Sequence, residues 1–327
     1  MIDDSMNRAE VTVIILSCDR PALFALALES AVAQTIPAAV LVSDDSKTDD
    51  VRRMVSEHPR SVTYLRGPRS GQLANLLHAF RRVETHWAVV LHDDDLLAAT
   101  CIADLLEAID PHAGLSVVIS DSARIDFSGN AIEKSGMAEQ RRRTIFRPGT
   151  NRLSFDERCD AFLVQGAVSP FLGTLLPSSL LRSWQPDARV GSVLDLSLCE
   201  TLARQVGTVS YVPKDLTYYR IHDVSVGSSF VDLEPLLFII DSQLADESLR
   251  TIWPGLRRRR SDAIARQARV WTASGKWTSA RRLLLEHRHD LALLELGPTA
   301  LLTLPGLRTL YGRRIRRANP RFSPPAV

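Results

Sequence analysis

Three consecutive aspartates, Asp93, Asp94 and Asp95, follow His92 at the end of Trp87-Ala88-Val89-Val90-Leu91, a short and wholly apolar run. Such a run makes a strand buried on both faces of a parallel sheet. Open α/β sheets bind their ligands just beyond the carboxyl ends of such strands. Like charges repel, so three carboxylates released together destabilise the chain unless a cation or a cationic ligand compensates them. Hard oxygen donors at this density suit Mg²⁺ or Mn²⁺, with diphosphate oxygens and water completing the shell. The alternative is an acidic N-cap for a helix beginning near Leu96, but a cap needs one Asp, not three.

The surrounding pattern supplies the frame such a site needs. Val11–Leu16 reads as a strand and Ala22–Gln34 as a helix with Pro21 at its start. Val40–Ser43 is a second strand, followed by Asp44-Asp45-Ser46 and a helix from about Asp49. Val62–Leu65 is a third strand; the turn Gly67-Pro68-Arg69-Ser70-Gly71 leads into a helix over Gln72–Val83. Trp87–Leu91 is the fourth strand and Leu115–Ser120 the fifth. Strands alternating with helices of this length imply right-handed βαβ units and a mostly parallel sheet. In such a sheet the segments Ser17-Cys18-Asp19-Arg20-Pro21, Asp44-Asp45-Ser46, the turn before Asn75, and His92-Asp93-Asp94-Asp95 converge at one edge.

The middle of the chain is less regular. Arg141-Arg142-Arg143 reads as a mobile surface loop. Ser192–Gln205 reads as a helix, and Val209–Val212 and Leu216–Arg220 as two short strands. From Asp232 the pattern is helical, with a helix–turn–helix around Gly275 carrying Trp271, Trp277, Ala280, Leu283, Leu284 and Leu285. Leu301–Tyr311, followed by Arg313-Arg314-Ile315-Arg316-Arg317, has the character of a membrane-surface helix. His287 and His289 fall in a charged stretch and read as part of a solvated face.

The 327 residues are 45% hydrophobic and 24% charged, the balance of a soluble globular protein with one sizeable core and an appendage. The start lacks the basic and apolar regions of a signal peptide, and no apolar run approaches the roughly 20 residues that span a bilayer. Cys18, Cys101, Cys159 and Cys199 are too scattered for a zinc site or a disulfide framework, so a cytoplasmic, reduced protein is expected. A net charge of +2 conceals an asymmetry. From Arg250 onward there are 17 Arg and Lys against 4 Asp and Glu, a net +13, whereas residues 1–249 carry 23 against 34, a net −11. A basic tail behind an acidic body fits an anionic partner, such as lipid headgroups or phosphate-bearing acceptors, or else a set of solvated basic helix faces; nucleic acid is the weakest option, since no binding motif accompanies the charge.

Several of these segments together resemble one family. They are Val11-Thr12-Val13-Ile14-Ile15 with Asp19-Arg20-Pro21, Glu29-Ser30-Ala31-Val32-Ala33-Gln34-Thr35, Val42-Ser43-Asp44-Asp45-Ser46, His92-Asp93-Asp94-Asp95-Leu96-Leu97, and Tyr219-Arg220-Ile221-His222-Asp223-Val224-Ser225. In order and spacing they are similar to glycosyltransferase family 2, over roughly residues 10–228. The resemblance implies an α/β fold of the GT-A type, a Rossmann-like sheet flanked by helices. It divides the chain into a catalytic domain over 1–230, with a nucleotide-sugar half near 10–120 and an acceptor half near 121–230, and a basic helical extension over 231–327. It further implies a divalent metal, Mn²⁺ or Mg²⁺, and inverting transfer from a nucleotide-sugar donor, UDP- or dTDP-linked, to a glycan or lipid-linked acceptor in cell-surface polysaccharide synthesis.

Carried over by position, Asp45 contacts the donor base, with Ser17, Asp19, Arg20, Asp44 and Asn75 around it. Asp93 approaches the ribose, while Asp94, Asp95 and His222 hold the metal. Asp195 stands where the family places its general base, and Gly173 lies in the acceptor-side loop. Three positions depart from the family pattern. Cys18 replaces an aromatic residue near the base, His92 heads the acidic run, and Leu194 precedes Asp195 where a second acid is common. Two other functions were weighed. A sugar nucleotidyltransferase needs a glycine-rich loop after the first strand, which Ser17–Pro21 lacks; a non-catalytic nucleotide-binding scaffold has no use for the separate carboxylate Asp195.

Overall fold

The structure, a computed structural model, describes residues 10–132, 137–221 and 233–287. Four strands build the half that carries the Asp run: β1 (Val11–Ser17), β2 (Ala39–Asp44), β3 (Thr63–Arg66) and β4 (Trp87–His92). They lie in the order β3-β2-β1-β4, all parallel. The near-unbroken apolar runs of β1 and β4 are buried on both faces, as a sheet covered by helices requires. The crossovers are helices α1 (Pro21–Val32), α2 (Asp50–Glu57) and α3 (Gln72–Phe80). Phe24, Ala27, Leu28 and Ala31 of α1 pack on Val13, Ile15 and Val42 in the main core.

Beyond β4 the direction alternates. The short strand β5 (Leu96–Leu97), helix α4 (Cys101–Glu107) and the long β6 (Ser116–Ile125) follow. After β7 (Ala131–Ile132) come helix α5 (Met137–Ile145), β8 (Gly149–Asn151), helix α6 (Phe155–Cys159) continuing into a π-helical turn Asp160–Val164, and β9 (Thr174–Pro177). Then α7 (Ser178–Ser183), α8 (Leu194–Gln205) and β10 (Thr208–Arg220) complete the unit. Strand β9 inserts antiparallel between β4 and β6, and β10 runs parallel to β6. The result is the mixed α/β architecture expected, a mainly parallel sheet flanked by helices, with antiparallel strands added at β5, β7, β8 and β9.

Four local readings need correction. The Asp run does not cap a helix: it leads into β5, and α4 begins only at Cys101 with Thr100 at its N-cap. The two short strands expected over 209–220 are one, because β10 absorbs Pro213, Lys214 and Leu216 as irregularities on either side of the paired Asp215 rather than ending there. β9, an apolar four-residue stretch, was not anticipated as a strand. Arg141-Arg142-Arg143 is not a mobile loop; it lies on α5, whose Arg142 is buried. Asp121, fully buried on β6, explains this. Its carboxylate pairs with Arg142 Nε at 3.2 Å and Arg143 at 3.4 Å and accepts the Tyr211 hydroxyl proton at 2.9 Å. A charge so enclosed would be costly alone, so pairing draws the arginines inward.

The chain divides into two compact units, Met1–Phe230 and Val231–Val327. In the second, α9 (Leu233–Leu244), α10 (Trp253–Ala273) and α11 (Trp277–Glu286) are described. Ile264, Ala268, Ala280, Leu283 and Leu284 form its core, with Leu233, Leu237 and Trp271 against them. Gly275, at φ +79°, makes the turn between α10 and α11. Among the described residues no helix is long and apolar enough to cross a membrane. His289, the Leu301–Tyr311 segment and the basic run after it lie outside the described residues.

Replacing Asp121 by Ala strands the buried Arg142 guanidinium without its partner. The expected loss is about 3–5 kcal/mol in urea unfolding, since a buried ion pair broken on one side costs that much. A loss under 1 kcal/mol would show that solvent reaches the pair.

Candidate active site

The carboxyl ends of β1, β2 and β4 meet and are tied together by their own backbone. The Asp45 amide donates to Ser17 O at 2.9 Å, and the Asp93 amide to Leu16 O at 3.1 Å. The Cys18 amide donates to Asp93 Oδ2 at 2.9 Å, and the Asp19 amide to Ser46 Oγ at 2.9 Å. Asp19 adopts φ +56°, a left-handed conformation that Asp tolerates, and its Oδ1 accepts the Lys47 amide at 2.8 Å. The segments 17–21, 44–46 and 92–95 are therefore brought together.

Asp44 is fully buried and receives the Ser46 amide at 2.9 Å, the Tyr64 hydroxyl at 2.8 Å and Arg66 at 3.2 Å. It braces the loop. Asp45 is half-buried; its Oδ1 accepts the Arg69 amide at 2.9 Å, and burial followed by the Asp44 charge raises its pKa. Gly67 lies so close that an added Cβ would sit 2.2 Å from Asp45 Oδ1 and 2.6 Å from Asn75 Oδ1. Asn75 itself is buried, with its amide bridging to Ser43 O at 3.1 Å and its Oδ1 accepting the Ser43 hydroxyl at 2.6 Å. It fastens α3 to β2. Ser17 Oγ, also buried, meets no hydrogen-bond partner among the described residues.

The Asp run is held from two sides. Arg20 ion-pairs with Asp93 and donates to Asp94 Oδ2 at 2.5 Å. Arg220, one of the largest fully buried side chains, backs the run from β10. Its amide donates to Asp95 Oδ1 at 2.9 Å and its Nε to Asp94 O at 2.9 Å. Its guanidinium also reaches Asp126 O at 3.0 Å and Phe127 O at 2.8 Å. The Asp95 amide returns to His92 O at 3.1 Å, a tight turn that sets residues 92 and 95 side by side.

Burial raises the Asp93 pKa to about 6, against the pull of Arg20. Burial, then the Asp94 charge, raises Asp95 to about 8. His92 is shifted the other way: burial lowers its pKa, opposed by the charges of Asp94 and Asp195.

His92, Asp94 and Asp95 offer ligand atoms that all lie within 4.8 Å of one another. His92 Nε2 is cut off from solvent and has no hydrogen-bond partner among the described residues. An imidazole and two carboxylates, one of them destabilised as an anion, fit a divalent cation. His92 is a candidate that sequence reasoning passed over, having read it only as a departure from an acidic run. Arg220 was missed as well, although the quoted Tyr219-Arg220 segment carried it. His222, expected as a further ligand, lies outside the described residues.

Asp195 is exposed in the first turn of α8, near enough for its charge to act on His92. The 169–173 loop also reaches this region, with the Phe171 ring 6.0 Å from that of His92. Gly173 adopts φ +64°, and an added Cβ would lie 2.4 Å from Ser120 Oγ and 3.2 Å from Thr217 Oγ1. The glycine is thus required by the protein's own close packing.

Residues 12–162 match the family described as glycosyl transferase family 2. No curated protein sequence matches the chain. Among solved structures, S. aureus TarS aligns with 16% identity and a TM-score of 0.55, over 95% of this chain and 54% of that one. The chain thus spans about half of that TarS chain. TarS 1-349 in complex with UDP-GlcNAc aligns with 16% identity and a TM-score of 0.57, over 95% and 89%. The mannosyltransferase PcManGT from Pyrobaculum calidifontis, in complex with GDP-Man and Mn²⁺, aligns with 17% identity and a TM-score of 0.53, over 96% and 88%. At these identities the likeness is one of fold.

The raised pKa values set a pH dependence. Folding favours the protonated forms of Asp93 and Asp95, so their stabilising contribution is complete below about pH 4 and is lost as pH rises through about 6 and about 8. Thermal unfolding in EDTA is therefore expected to give a melting temperature that falls from pH 5 to pH 8.5. Asp95→Asn should flatten that fall, the effect being on the order of several kcal/mol at the alkaline end. A slope unchanged by Asp95→Asn would show that this carboxylate is solvated.

Proposed function

From the match of residues 12–162 to glycosyl transferase family 2, we propose that the chain is a metal-dependent inverting glycosyltransferase. In this reading it moves a sugar from a nucleotide-sugar donor to a hydroxyl of a glycan or lipid-linked acceptor. The observation that carries it is the joining of three strand ends, 17–21, 44–46 and 92–95, around a buried acidic cluster with one exposed carboxylate beyond it. TarS bound to UDP-GlcNAc and PcManGT bound to GDP-Man support a nucleoside-diphosphate sugar as donor, and Mn²⁺ in PcManGT supports a divalent cation.

The roles follow from position and chemistry. Asp45 and the loop through Asp19 receive the base, and Asp93 the ribose. Asp94 and Asp95, with His222, hold the cation. When bound, such an ion neutralises the charge that accumulates on a diphosphate leaving group, so that no proton donor is needed there. Arg20 adds a positive charge at the same edge. Asp195 takes the proton from the acceptor hydroxyl as that oxygen attacks the anomeric carbon from the face opposite the diphosphate, which inverts the centre. Residues 1–230 form the catalytic domain and 231–327 an extension. The net +13 from Arg250 onward suits an anionic membrane face on the cytoplasmic side, close to a lipid-linked acceptor for surface polysaccharide.

Calorimetric titration of uridine, thymidine and guanosine diphosphates, with and without Mn²⁺, tests the donor site. One nucleotide should bind tightly to wild type only with metal and lose at least about tenfold in affinity in Asp94→Asn. Asp195→Asn should keep that affinity and lose about 10²–10⁴-fold in turnover, the usual contribution of a general base. Binding indifferent to metal and to Asp94 would return the acidic run to a structural role.

For the extension, sedimentation with vesicles of anionic and of neutral lipid should show binding to the anionic ones alone, weakened by 0.5 M salt. Equal binding to both, or to neither, would discard the membrane role.

A further inference from the structure

We propose that His92 supplies an imidazole nitrogen to the same divalent cation as Asp94 and Asp95, making a mixed nitrogen–oxygen site that prefers Mn²⁺ to Mg²⁺. The inference rests on the metal-dependent reading above and concerns what this chain does differently at the head of its acidic run.

Geometry comes first. Ligand atoms of the three residues lie within 4.8 Å of one another. Donors at about 2.0–2.2 Å from one ion stand no more than roughly 4.4 Å apart, so a small closure completes the set. Two features hold His92 in register for this. The turn from His92 O to the Asp95 amide, 3.1 Å, places the two side chains on adjacent positions of one tight bend. The Phe171 ring, 6.0 Å from the imidazole centroid and inclined at 49°, packs against its edge.

The second observation is the orphaned nitrogen. His92 Nε2 is buried and meets no hydrogen-bond partner among the described residues. A buried polar atom left unmet forfeits the hydration it had in the unfolded chain, so a partner for it stabilises the fold. A cation fits that partner better than a water, because the neighbouring donors are carboxylates and the site already draws in the positive charge of Arg20.

The third step is chemical. An imidazole in place of a carboxylate at the head of the run removes one negative charge and adds a softer donor. Mg²⁺ demands a near-ideal octahedral oxygen shell, whereas Mn²⁺, a first-row transition ion, tolerates a nitrogen donor among oxygens, and affinity for such a donor rises further along that series. His92 therefore reads as a selectivity-determining ligand.

Pulsed electron paramagnetic resonance of the Mn²⁺-loaded full chain tests this without turnover. His222 is the other imidazole expected near the ion, so spectra are compared for His222→Ala and for His222→Ala combined with His92→Gln. The first should show ¹⁴N coupling to Mn²⁺ and the second should not. In parallel, Mg²⁺ competition against bound Mn²⁺ should show the Mn²⁺-to-Mg²⁺ affinity ratio falling about tenfold in His92→Asp, the smallest effect expected when a tuning ligand is exchanged. This arm decides alone if His222→Ala binds no Mn²⁺. An absent ¹⁴N coupling in His222→Ala, or an unchanged ratio in His92→Asp, overturns the proposal while Mn²⁺ binding that depends on Asp94 leaves the metal reading standing. Mn²⁺ that binds wild type and Asp94→Asn alike overturns both.

Discussion

Burying carboxylates at the end of a parallel sheet is the constraint around which the first unit is organised. Asp44, Asp93 and Asp95 are all within 2% of full burial, and each must be met by donors or remain protonated. The structure meets them differently. Asp44 is satisfied by a backbone amide, a tyrosine hydroxyl and Arg66, all from its own half of the sheet. Asp93 relies on the Cys18 amide and Arg20. Asp95 has the Arg220 amide set against burial and the adjacent Asp94 charge, which together raise its pKa to about 8. The unevenness separates residues that hold the loops from residues with unfilled capacity.

That electrostatic problem explains contacts far from the aspartates. The chain leaving Asp95 must be held open as β5 instead of coiling into a helix. Helix α1 does this from below: Ser30 Oγ accepts the Leu97 amide at 3.2 Å, and Gln34 donates to Ala98 O at 2.9 Å and accepts the Ile102 amide at 3.0 Å. The Thr35 amide adds a bond to Ala99 O at 2.9 Å. The segment Glu29–Thr35, quoted for its resemblance alone, thus has a mechanical role: it clamps the exit from the acidic run. Arg220 performs the matching role from β10, using its guanidinium on main-chain oxygens and leaving the carboxylates to other partners.

Much of this was legible because the physics is local. Apolar runs bounded by turn residues located β1 to β4, and parallel topology then placed Asp19, Asp45 and Asp93 together without any knowledge of side-chain contacts. What stayed hidden depends on partners distant in sequence. Arg142 looks like a solvated surface residue until Asp121 is found beneath it. Nothing in the sequence around Asn75 shows that Ser43 is bonded to it. Gly173 is read for the acceptor-side loop, and the sequence does not show that a side chain there would meet Ser120 Oγ. β9 is four residues that pair with strands 55–57 and 86–90 positions earlier, and no periodicity announces such a strand.

Arg20 shows how the same electrostatics connect fold and ligand. Its guanidinium stands between Asp93 and Asp94 and occupies Asp94 Oδ2, the carboxylate that a divalent cation would also need. The side chain is about one-quarter exposed and leaves the chain at the N-cap of α1, just before Pro21. An arriving cation must then share Asp94 with Arg20 or turn it toward Asp93, and in either case positive charge accumulates at one edge of the sheet. A nucleoside diphosphate carries the negative charge that balances such an edge. In the proposed reaction, metal and diphosphate would therefore favour each other's binding through Arg20, because each relieves the repulsion the other would meet alone.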